Sequence, residues 1–447
     1  MLRVFNWLVI LALTGSFLGF PPFQVQRGSG TPKNQNDYHY ARGILIVGLT
    51  SNGKPTSVAS LEQTLQAQQV AALPQINAVI MRVPPGQEQQ VAMLAETNPL
   101  VAFAEPDYAI KADSASSPDD LPDDPSFDQQ WSLLQIGLPI AWEFTTGSPD
   151  ILIAIVDSGI QLDHPDLADK IWVNPGEIPG NHLDDDSNGK VDDVHGWHYY
   201  HHYTNLGFLP AEDANVIDDF GHGTHVAGIA AASTNNQTGI SGISWGSHIL
   251  PVKVLDEWGS GWYSDIAAGI IYAADNGAQI INLSLGGEQP SDLLHSAVDY
   301  AHNHGALVIA ATGNSGGAVL YPAAYDPVLA VAATDENDQR SAFSNFGPQV
   351  DLAAPGTNIY STWYLSNYFT KSGTSMAAPH VSGVAALLWS LKPNLDADAI
   401  AHALMHSSVD IEPVGVDNYT GWGRLSAKMA VDYLIRTEIF LPVISKH

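Results

Sequence analysis

The clearest pattern in the chain is a set of nearly continuous apolar runs, at residues 151–156, 249–255, 279–285 and 306–311. Strands that are buried on both faces have this composition, because neither face meets water. Amphipathic segments with helical spacing lie between and after these runs, at residues 222–232, 263–276, 291–304, 375–391 and 397–406. The alternation predicts an α/β fold with a mainly parallel sheet and helices on both faces.

A second pattern precedes this one, over residues 38–112. The segments 43–49, 78–83 and 101–104 are rich in strand-forming residues, and residues 60–73 and 87–96 have helical spacing. In the first helical segment Leu61, Leu65 and Val70 lie on one face. The order β-α-β-α-β predicts a small α+β domain of split-βαβ type.

Three segments lie outside the two predicted domains, 38–112 and 126–436. Residues 113–125 are rich in Asp, Ser and Pro, which favours an exposed linker open to proteolytic nicking. Residues 1–20 carry Arg3 before an apolar run, which favours a secretory signal peptide and a secreted protein. The alternative is an uncleaved membrane anchor; no other segment is long and apolar enough for a stable span. The tail 437–447 has no predicted role.

Composition narrows the classes of function. The chain has 47 acidic and 17 basic residues, a formal charge of -30, and nucleic-acid binding requires a basic surface instead. It has no cysteine, so disulfides and thiol catalysis are excluded. Stability outside the cell would then depend on the core and on bound cations.

Three glycine-flanked segments place a carboxylate, an imidazole and a hydroxyl at predicted element junctions. Asp157 follows the run 151–156, while His222 and Ser375 each open a predicted helix. A serine nucleophile needs a histidine to accept its proton and a carboxylate to fix the tautomer of that histidine. Each residue alone is also typical of a turn or a helix cap. Their conjunction favours catalysis.

The three segments, in this order, resemble the subtilisin-like serine peptidases, the subtilase family, and are closest to its thermitase type. The resemblance extends from about Asp124 to Ala430. Residues 38–110, with the closing sequence Ala104-Glu105-Pro106-Asp107-Tyr108, resemble the inhibitory propeptide of that family. The resemblance implies a self-processing zymogen that hydrolyses peptide bonds in protein or peptide substrates. Its own propeptide would be an intramolecular inhibitor.

The resemblance also implies residues that bind the substrate. Asn314 matches the side-chain donor of the oxyanion hole, with the Ser375 backbone N–H as second donor. Two extended segments match the strands that pair with the substrate backbone. The implied binding residues are Ser284, Leu285, Gly286, Gly259, Ser260, Gly261, Ala311 and Gly313. Leu320 departs from the family pattern, because many relatives have a small residue at this position at the base of the S1 pocket.

An acidic segment at 183–193 predicts a calcium site. Asp184, Asp186 and Asn188 place oxygen ligands at alternating positions before a glycine, as in the first half of a calcium loop. His195 stands where an EF-hand has its bidentate Glu, so the segment is not an EF-hand. Family resemblance implies that Asp192 or Asp193 completes the site. The alternative is a solvated acidic turn.

A second calcium site is implied by the resemblance alone. It would hold the ion with Asp124, Asp166, Asn236 and Thr238 and with the carbonyl oxygen of Ile240. Calcium would then attach the N-terminus of the mature enzyme to the helix that begins at His222.

Two other readings of the sequence stay open. His195, His198, His201 and His202 could bind a transition metal, although a solvent-facing aromatic loop fits their irregular spacing better. An inactive relative that serves as a calcium-dependent binding scaffold is the rival from another class of function. A sedolisin-type peptidase would have Glu in place of His222 and Asp in place of Asn314, and the residues present argue against it.

Overall fold

A computed structural model describes residues 40–50, 58–108, 121–205 and 207–437. Contacts divide the chain into two units, residues 1–112 and 113–447. The predicted signal peptide, the linker residues 113–120 and residues 438–447 of the tail lie outside the described residues. None of the helices in the described part of the chain has the length and apolarity that a membrane crossing needs.

The first unit contains a four-stranded antiparallel sheet with two helices. Its elements are β1 (Tyr40–Leu49), α1 (Val58–Leu65), β2 (Gln68–Leu73), β3 (Ala78–Arg82), α2 (Glu88–Glu96) and β4 (Val101–Tyr108). The strand order is β2-β3-β1-β4. Its core includes Leu45, Leu61, Leu65, Met81 and Val91. This β-α-β-β-α-β order is the split-βαβ arrangement.

The prediction of one helix over residues 60–73 is wrong in its second half. Helix α1 ends at Leu65, and Gln66 has a left-handed backbone with φ of 48°. Residues 68–73 instead pair with β3 as an edge strand, where Val70 is exposed. An edge strand with exposed side chains leaves little periodic signal, so the apolar Val70 falls by chance on the helical face of Leu61.

The second unit is built on an eight-stranded sheet with the order β12-β11-β10-β9-β5-β8-β6-β7. All neighbours pair in parallel except β6 and β7. Strands β13 and β14 form a separate antiparallel ribbon. The elements are α3 (Trp131–Gln135), α4 (Leu138–Ala141), β5 (Leu152–Asp157), β6 (Trp197–Thr204), β7 (Gly207–Asp213), α5 (His222–Ala231), β8 (His248–Lys253), α6 (Tyr263–Asp275), β9 (Ile280–Leu283), α7 (Asp292–Asn303), β10 (Leu307–Ala311), β11 (Val328–Thr334), β12 (Leu352–Pro355), β13 (Ile359–Trp363), β14 (Asn367–Lys371), α8 (Thr374–Leu391), α9 (Ala397–His406) and α10 (Ala427–Thr437).

Strand β5 shows why the parallel strands are apolar throughout. Ile153 and Ile155 belong to a core that also contains residues of α5 and α8. Leu152, Ala154 and Val156 point the other way, into a core shared with α6 and α7. Because successive side chains of a strand alternate between faces, a sheet covered on both faces needs apolar residues at every position. The predicted α/β class is confirmed.

The segment that contains the four histidines was expected to be a solvent-facing loop, but most of it is a strand. Residues 197–204 form strand β6, which pairs antiparallel with β7 and extends the main sheet through β8. The side chain of His201 is only 14% exposed, and its Nδ1 lies 2.8 Å from Oδ2 of Asp265 on α6. The sequence did not predict this strand because it lacks the alternation of apolar and polar residues. Its inward-facing residues include hydrogen-bonded histidines such as His201.

Candidate active site

The predicted catalytic residues lie at the carboxyl-terminal edge of the parallel sheet. Strand β5 ends at Asp157, β9 leads into Ser284, and β10 leads into Asn314. Strand β5 has β8 on one side and β9 on the other, and the later strands β10, β11 and β12 continue on the β9 side. The strand order therefore reverses next to β5. In open α/β sheets such a switch point leaves a crevice at the carboxyl ends of the strands.

Asp157 and His222 are joined by a hydrogen bond. Nδ1 of His222 lies 2.8 Å from Oδ1 of Asp157, whose side chain is fully buried. The same oxygen accepts the backbone N–H of Ser158 at 2.7 Å, and Oδ2 has no donor among the described residues. A buried carboxylate bonded to Nδ1 fixes the tautomer in which Nε2 is free to accept a proton.

The environment of His222 favours its protonated form. Burial acts to lower the pKa of His222, but the negative charge of Asp157 and the hydrogen bond to it outweigh burial and raise this pKa above its ordinary value of 6.5. Asp218 also raises it, whereas the cation Lys371 opposes the rise. The imidazole is therefore a stronger base than a free histidine.

Asp218, which the sequence analysis did not single out, connects the segments that carry Asp157 and His222. Its buried carboxylate accepts hydrogen bonds from the Ser158 hydroxyl at 2.9 Å and from the backbone N–H groups of Gly221 at 2.7 Å and Thr224 at 3.0 Å. The Ser158 hydroxyl in turn accepts the N–H of Gly223. This carboxylate thus satisfies unpaired N–H groups at the start of α5 and fixes the separation of the two segments.

Ser375 lies in the first turn of α8, beside the strand end at Ser284. Its hydroxyl donates to the carbonyl oxygen of Ser284 at 3.1 Å, and the Ser284 hydroxyl donates to the Ser375 carbonyl oxygen at 2.8 Å. A hydroxyl has one proton, so Ser375 must leave the Ser284 carbonyl before it can donate to His222.

Asn314 is held by its side-chain oxygen. Oδ1 accepts the Thr374 backbone N–H at 2.8 Å and the Thr374 hydroxyl at 3.0 Å. These bonds leave the amide Nδ2 as the free end of the side chain, close to Gly373 and to the start of α8. The side-chain amide and the N–H groups at a helix start can donate to the same anionic oxygen.

All eight residues predicted to bind substrate line a single cleft, which also contains His222, Asn314 and Ser375. Leu320 lies against the floor of this cleft. A Cβ atom added to Gly313 would lie 2.7 Å from Leu320, and one added to Gly286 would lie 3.0 Å from it. Gly313 has φ of 106°, a backbone conformation that glycine adopts without strain.

Part of the predicted acidic cation site comes together in the structure. Oxygen atoms of Glu177, Asp184 and Asp186 lie within 4.8 Å of one another. Asn188 bridges Asp186 and Asp193 through its side-chain amide, with N–O distances of 3.1 and 3.0 Å. An all-oxygen set with several carboxylates is the donor type that calcium prefers.

Glu177 is the ligand candidate that the sequence did not reveal, and Asp192 is one that the structure separates from the cluster. Glu177 is buried, and its Oε2 has no partner among the described residues, as expected for a group that faces a cation. Asp192 instead accepts the backbone N–H groups of Gly180 and His182. Glu177 lies before the acidic run with no diagnostic spacing, so only folding connects it to the cluster.

The residues of the second predicted cation site also converge. Asp166 accepts hydrogen bonds from the side chain of Asn236 at 3.0 Å and from the backbone of Ile240 at 2.9 Å. Asp124, which is 4% exposed, accepts the N–H of Asn236 at 3.2 Å. Thr238 joins them through its N–H to the side-chain oxygen of Asn236. The exposed character predicted for residues 113–125 therefore does not extend to Asp124.

A parallel α/β sheet whose edge brings an imidazole and a serine hydroxyl into one cleft, with a buried carboxylate bonded to the imidazole, is the framework of a serine hydrolase. Comparison with known proteins defines the family. Residues 148–423 match the subtilase family, and residues 28–107 match the fervidolysin N-terminal prodomain. The chain belongs to the subtilase family and is a serine endopeptidase with a fervidolysin-type propeptide.

Individual relatives agree with this assignment. Thermitase from Thermoactinomyces vulgaris is 44% identical over 314 residues, which are 70% of this chain and 99% of thermitase. A thermophilic serine proteinase from Bacillus sp. strain AK1 is 36% identical and covers 96% of this chain and 100% of its own length. A protease structure from Pseudoalteromonas arctica PAMC 21717 superposes with a TM-score of 0.59 at 31% identity, covering 70% of this chain and 98% of its own.

Proposed function

We propose that the protein is a secreted zymogen that hydrolyses peptide bonds through Asp157, His222 and Ser375 and is stabilised by calcium. The observation that carries this proposal is the 2.8 Å hydrogen bond from the buried Asp157 to His222, which lines the same cleft as Ser375. Family membership supplies the reaction, and this geometry supports the proposed roles of the three residues.

Acylation begins when Ser375 turns from the Ser284 carbonyl toward His222. His222 accepts the hydroxyl proton, and Oγ attacks the carbonyl carbon of the substrate. As that carbonyl oxygen becomes negative, the amide of Asn314 and the N–H of Ser375 stabilise it. His222 then protonates the leaving amine, and water repeats the sequence to release the acyl product. Asp157 stabilises the imidazolium throughout.

Main-chain pairing would hold the substrate during these steps. The segments at 259–261 and 284–286 flank the cleft, so an extended peptide between them gains backbone hydrogen bonds on both sides. Such pairing makes small demands on sequence and suits protein substrates. The first unit would act as an intramolecular inhibitor until the linker is cut.

Calcium would act on stability and not on bond cleavage. At the acidic cluster Glu177, Asp184, Asp186, Asn188 and Asp193 would hold the ion, which would neutralise carboxylates that otherwise repel one another. At the second site Asp124, Asp166, Asn236, Thr238 and Ile240 would hold an ion between the start of the mature chain and the loop after α5. Both donor sets consist of oxygen atoms.

The Ser375→Ala variant tests the proposal most directly. Wild-type protein should react with a fluorophosphonate probe at Ser375, whereas the variant should take up no label and should accumulate as an unprocessed precursor. Ser390→Ala is a matched control, because Ser390 lies on the same helix and donates to the carbonyl of Ala386. It should be labelled like wild type.

Two results would contradict specific parts of the proposal. A wild-type protein that is folded, processed and unlabelled would be the inactive binding scaffold. If Ser375→Ala matured normally in the absence of other proteases, the zymogen would depend on another enzyme for its processing.

A further inference from the structure

Lys371, the last residue of β14, places a positive charge beside the catalytic cleft. Its ammonium nitrogen lies 4.4 Å from the ring centroid of Trp363 and 6.0 Å from that of Phe220. Phe220 lines the cleft, with its ring centroid 6.4 Å from that of His222. Ser375 follows Lys371 by four residues in the chain. The cation is thus fixed close to the reacting groups by two aromatic faces.

No carboxylate among the described residues lies within ion-pair distance of Lys371. Its positive charge acts to lower the pKa of both His222 and His225. Burial lowers the pKa of Lys371 itself, because the ammonium is partly removed from water. A partly buried ammonium that has two aromatic faces beside it and no carboxylate within ion-pair distance can pair with an anion that enters the cleft.

The contacts of Phe220 indicate which half of the substrate Lys371 meets. The Phe220 ring lies against Gly259, since a Cβ atom added there would be 2.6 Å from it, and the same ring is close to the Lys371 ammonium and to the His222 imidazole. In the proposed mechanism His222 protonates the leaving amine, so the first residue of the leaving half lies beside His222. A side chain just after the scissile bond therefore passes this ammonium.

The chain's own junction has the complementary charge. Residues 113–124 include five aspartates, Asp113, Asp119, Asp120, Asp123 and Asp124, and no lysine or arginine. Cleavage within this segment presents an acidic leaving half to the active site. In a chain with only 17 basic residues, a cation beside the leaving half matches the substrate that self-processing would have to cut.

We propose that Lys371 forms a subsite for an acidic side chain in the first residues of the leaving half of the substrate. This assignment rests on the proposed peptidase mechanism and makes it selective. The carboxylate of the substrate pairs with the ammonium in the Michaelis complex and stays paired in the transition state, so the preference is expressed in kcat/KM.

The test uses internally quenched peptides that are identical except for Asp, Asn or Lys directly after the scissile bond. For the wild-type enzyme we expect kcat/KM to be about tenfold higher for the Asp peptide than for the Lys peptide, the size of a partly exposed charge interaction. Lys371→Gln should remove the difference and Lys371→Glu should reverse it, whereas Lys371→Arg should retain it. Raising the salt concentration should compress the wild-type ratio.

Ratios within one variant cancel any effect of Lys371 on the basicity of His222. Lys428→Gln, on α10, is the control for loss of one positive charge and should keep the wild-type ratio. An unchanged Asp-to-Lys ratio in active Lys371→Gln, or equal wild-type rates for all three peptides, would overturn the subsite alone. Failure of the wild-type enzyme to cleave even the Asn peptide would overturn the proposed mechanism, and the subsite with it.

Discussion

The catalytic cleft and the acidic loop around Glu177 obtain their geometry in opposite ways. In the cleft, Asp157 and Asn314 project from ends of buried strands, while His222 and Ser375 begin helices that pack on the sheet. In the loop, the carboxylates of Asp184 and Asp186 are positioned mainly by hydrogen bonds to neighbouring backbone and amide groups.

The two regions should therefore respond differently to substitution: the cleft through the reaction, and the loop through stability. Substitutions in the cleft should alter the reaction while the fold persists, because the surrounding core fixes the backbone. The loop crowds like charges together, so its stability should depend on a cation that the chain does not itself provide. The following experiments test that separation, from the largest expected effect to the smallest.

Replacement of Asp157 by Asn should have the largest effect on the reaction and little on folding. We expect kcat/KM to fall about 10⁴-fold, because the amide no longer fixes the His222 tautomer or stabilises the imidazolium. The melting temperature should change far less than activity. Asp163→Asn, which removes an exposed carboxylate bonded to Gln161, is the control and should keep wild-type activity.

The same variant predicts a shift in the pH profile. Since Asp157 raises the pKa of His222, the wild-type enzyme should lose kcat/KM with a midpoint above 6.5 as the pH falls and His222 becomes protonated. In Asp157→Asn the residual activity should show this midpoint at lower pH, because the neutral amide no longer favours the imidazolium. Asp218 and Lys371, the other charged groups that act on His222, are unchanged. A midpoint that does not move would contradict the assigned role of Asp157.

Glu177→Gln should test whether the acidic loop binds calcium. The amide keeps an oxygen for the N–H of Asp185 but removes a charge from the cluster, so we expect calcium affinity to fall about 10- to 100-fold. Excess EGTA should lower the wild-type melting temperature by about 5 °C or more. Added calcium should restore the melting temperature of both proteins, and the variant should need a higher calcium concentration than wild type.

Asp185→Asn is the matched control in the same loop. Its carboxylate accepts hydrogen bonds from Ile178 and Asn181 and lies outside the cluster, so calcium affinity should stay close to wild type. Equal calcium titrations for Glu177→Gln and wild type would exclude Glu177 as a ligand. A melting temperature unaffected by EGTA would exclude both cation sites as stabilising elements.

Leu320→Ala should have the smallest effect, confined to substrate choice. Leu320 lies against Gly286 and Gly313, so its removal enlarges the cleft floor. The ratio of kcat/KM for Phe over Ala at the substrate residue before the scissile bond should rise about tenfold, with the Asp157–His222 pair unaffected. Unchanged ratios would show that Leu320 does not limit the pocket.

The fold class and the catalytic residues were accessible from sequence because their signals are local. Apolar runs identified β5, β8, β9 and β10, and glycine-flanked motifs identified Asp157, His222 and Ser375. The five helices predicted in the second domain agree with the structure to within one residue at each end. Strand β11 is equally apolar and went unpredicted, although the same pattern was present at residues 328–334.

The remaining features depend on contacts between distant segments. Helix α1 ends at Leu65 because residues 68–73 find a partner in β3, and no local pattern reports that partner. Asp218 gains its role by accepting from Ser158, sixty positions earlier in the chain. Strand β6 buries His201 against Asp265, a pairing that polar composition concealed.

The sequence by itself determined the sheet with its covering helices and the residue types available for catalysis, because periodicity and glycine placement act over a few neighbours. Tertiary structure alone decided that Glu177 joins the acidic cluster while Asp192 leaves it, and that Lys371 stands beside Phe220 without a carboxylate partner among the described residues. Charge and hydrogen-bond satisfaction are settled between residues that meet only after the chain has folded, and their spacing along the chain does not encode them.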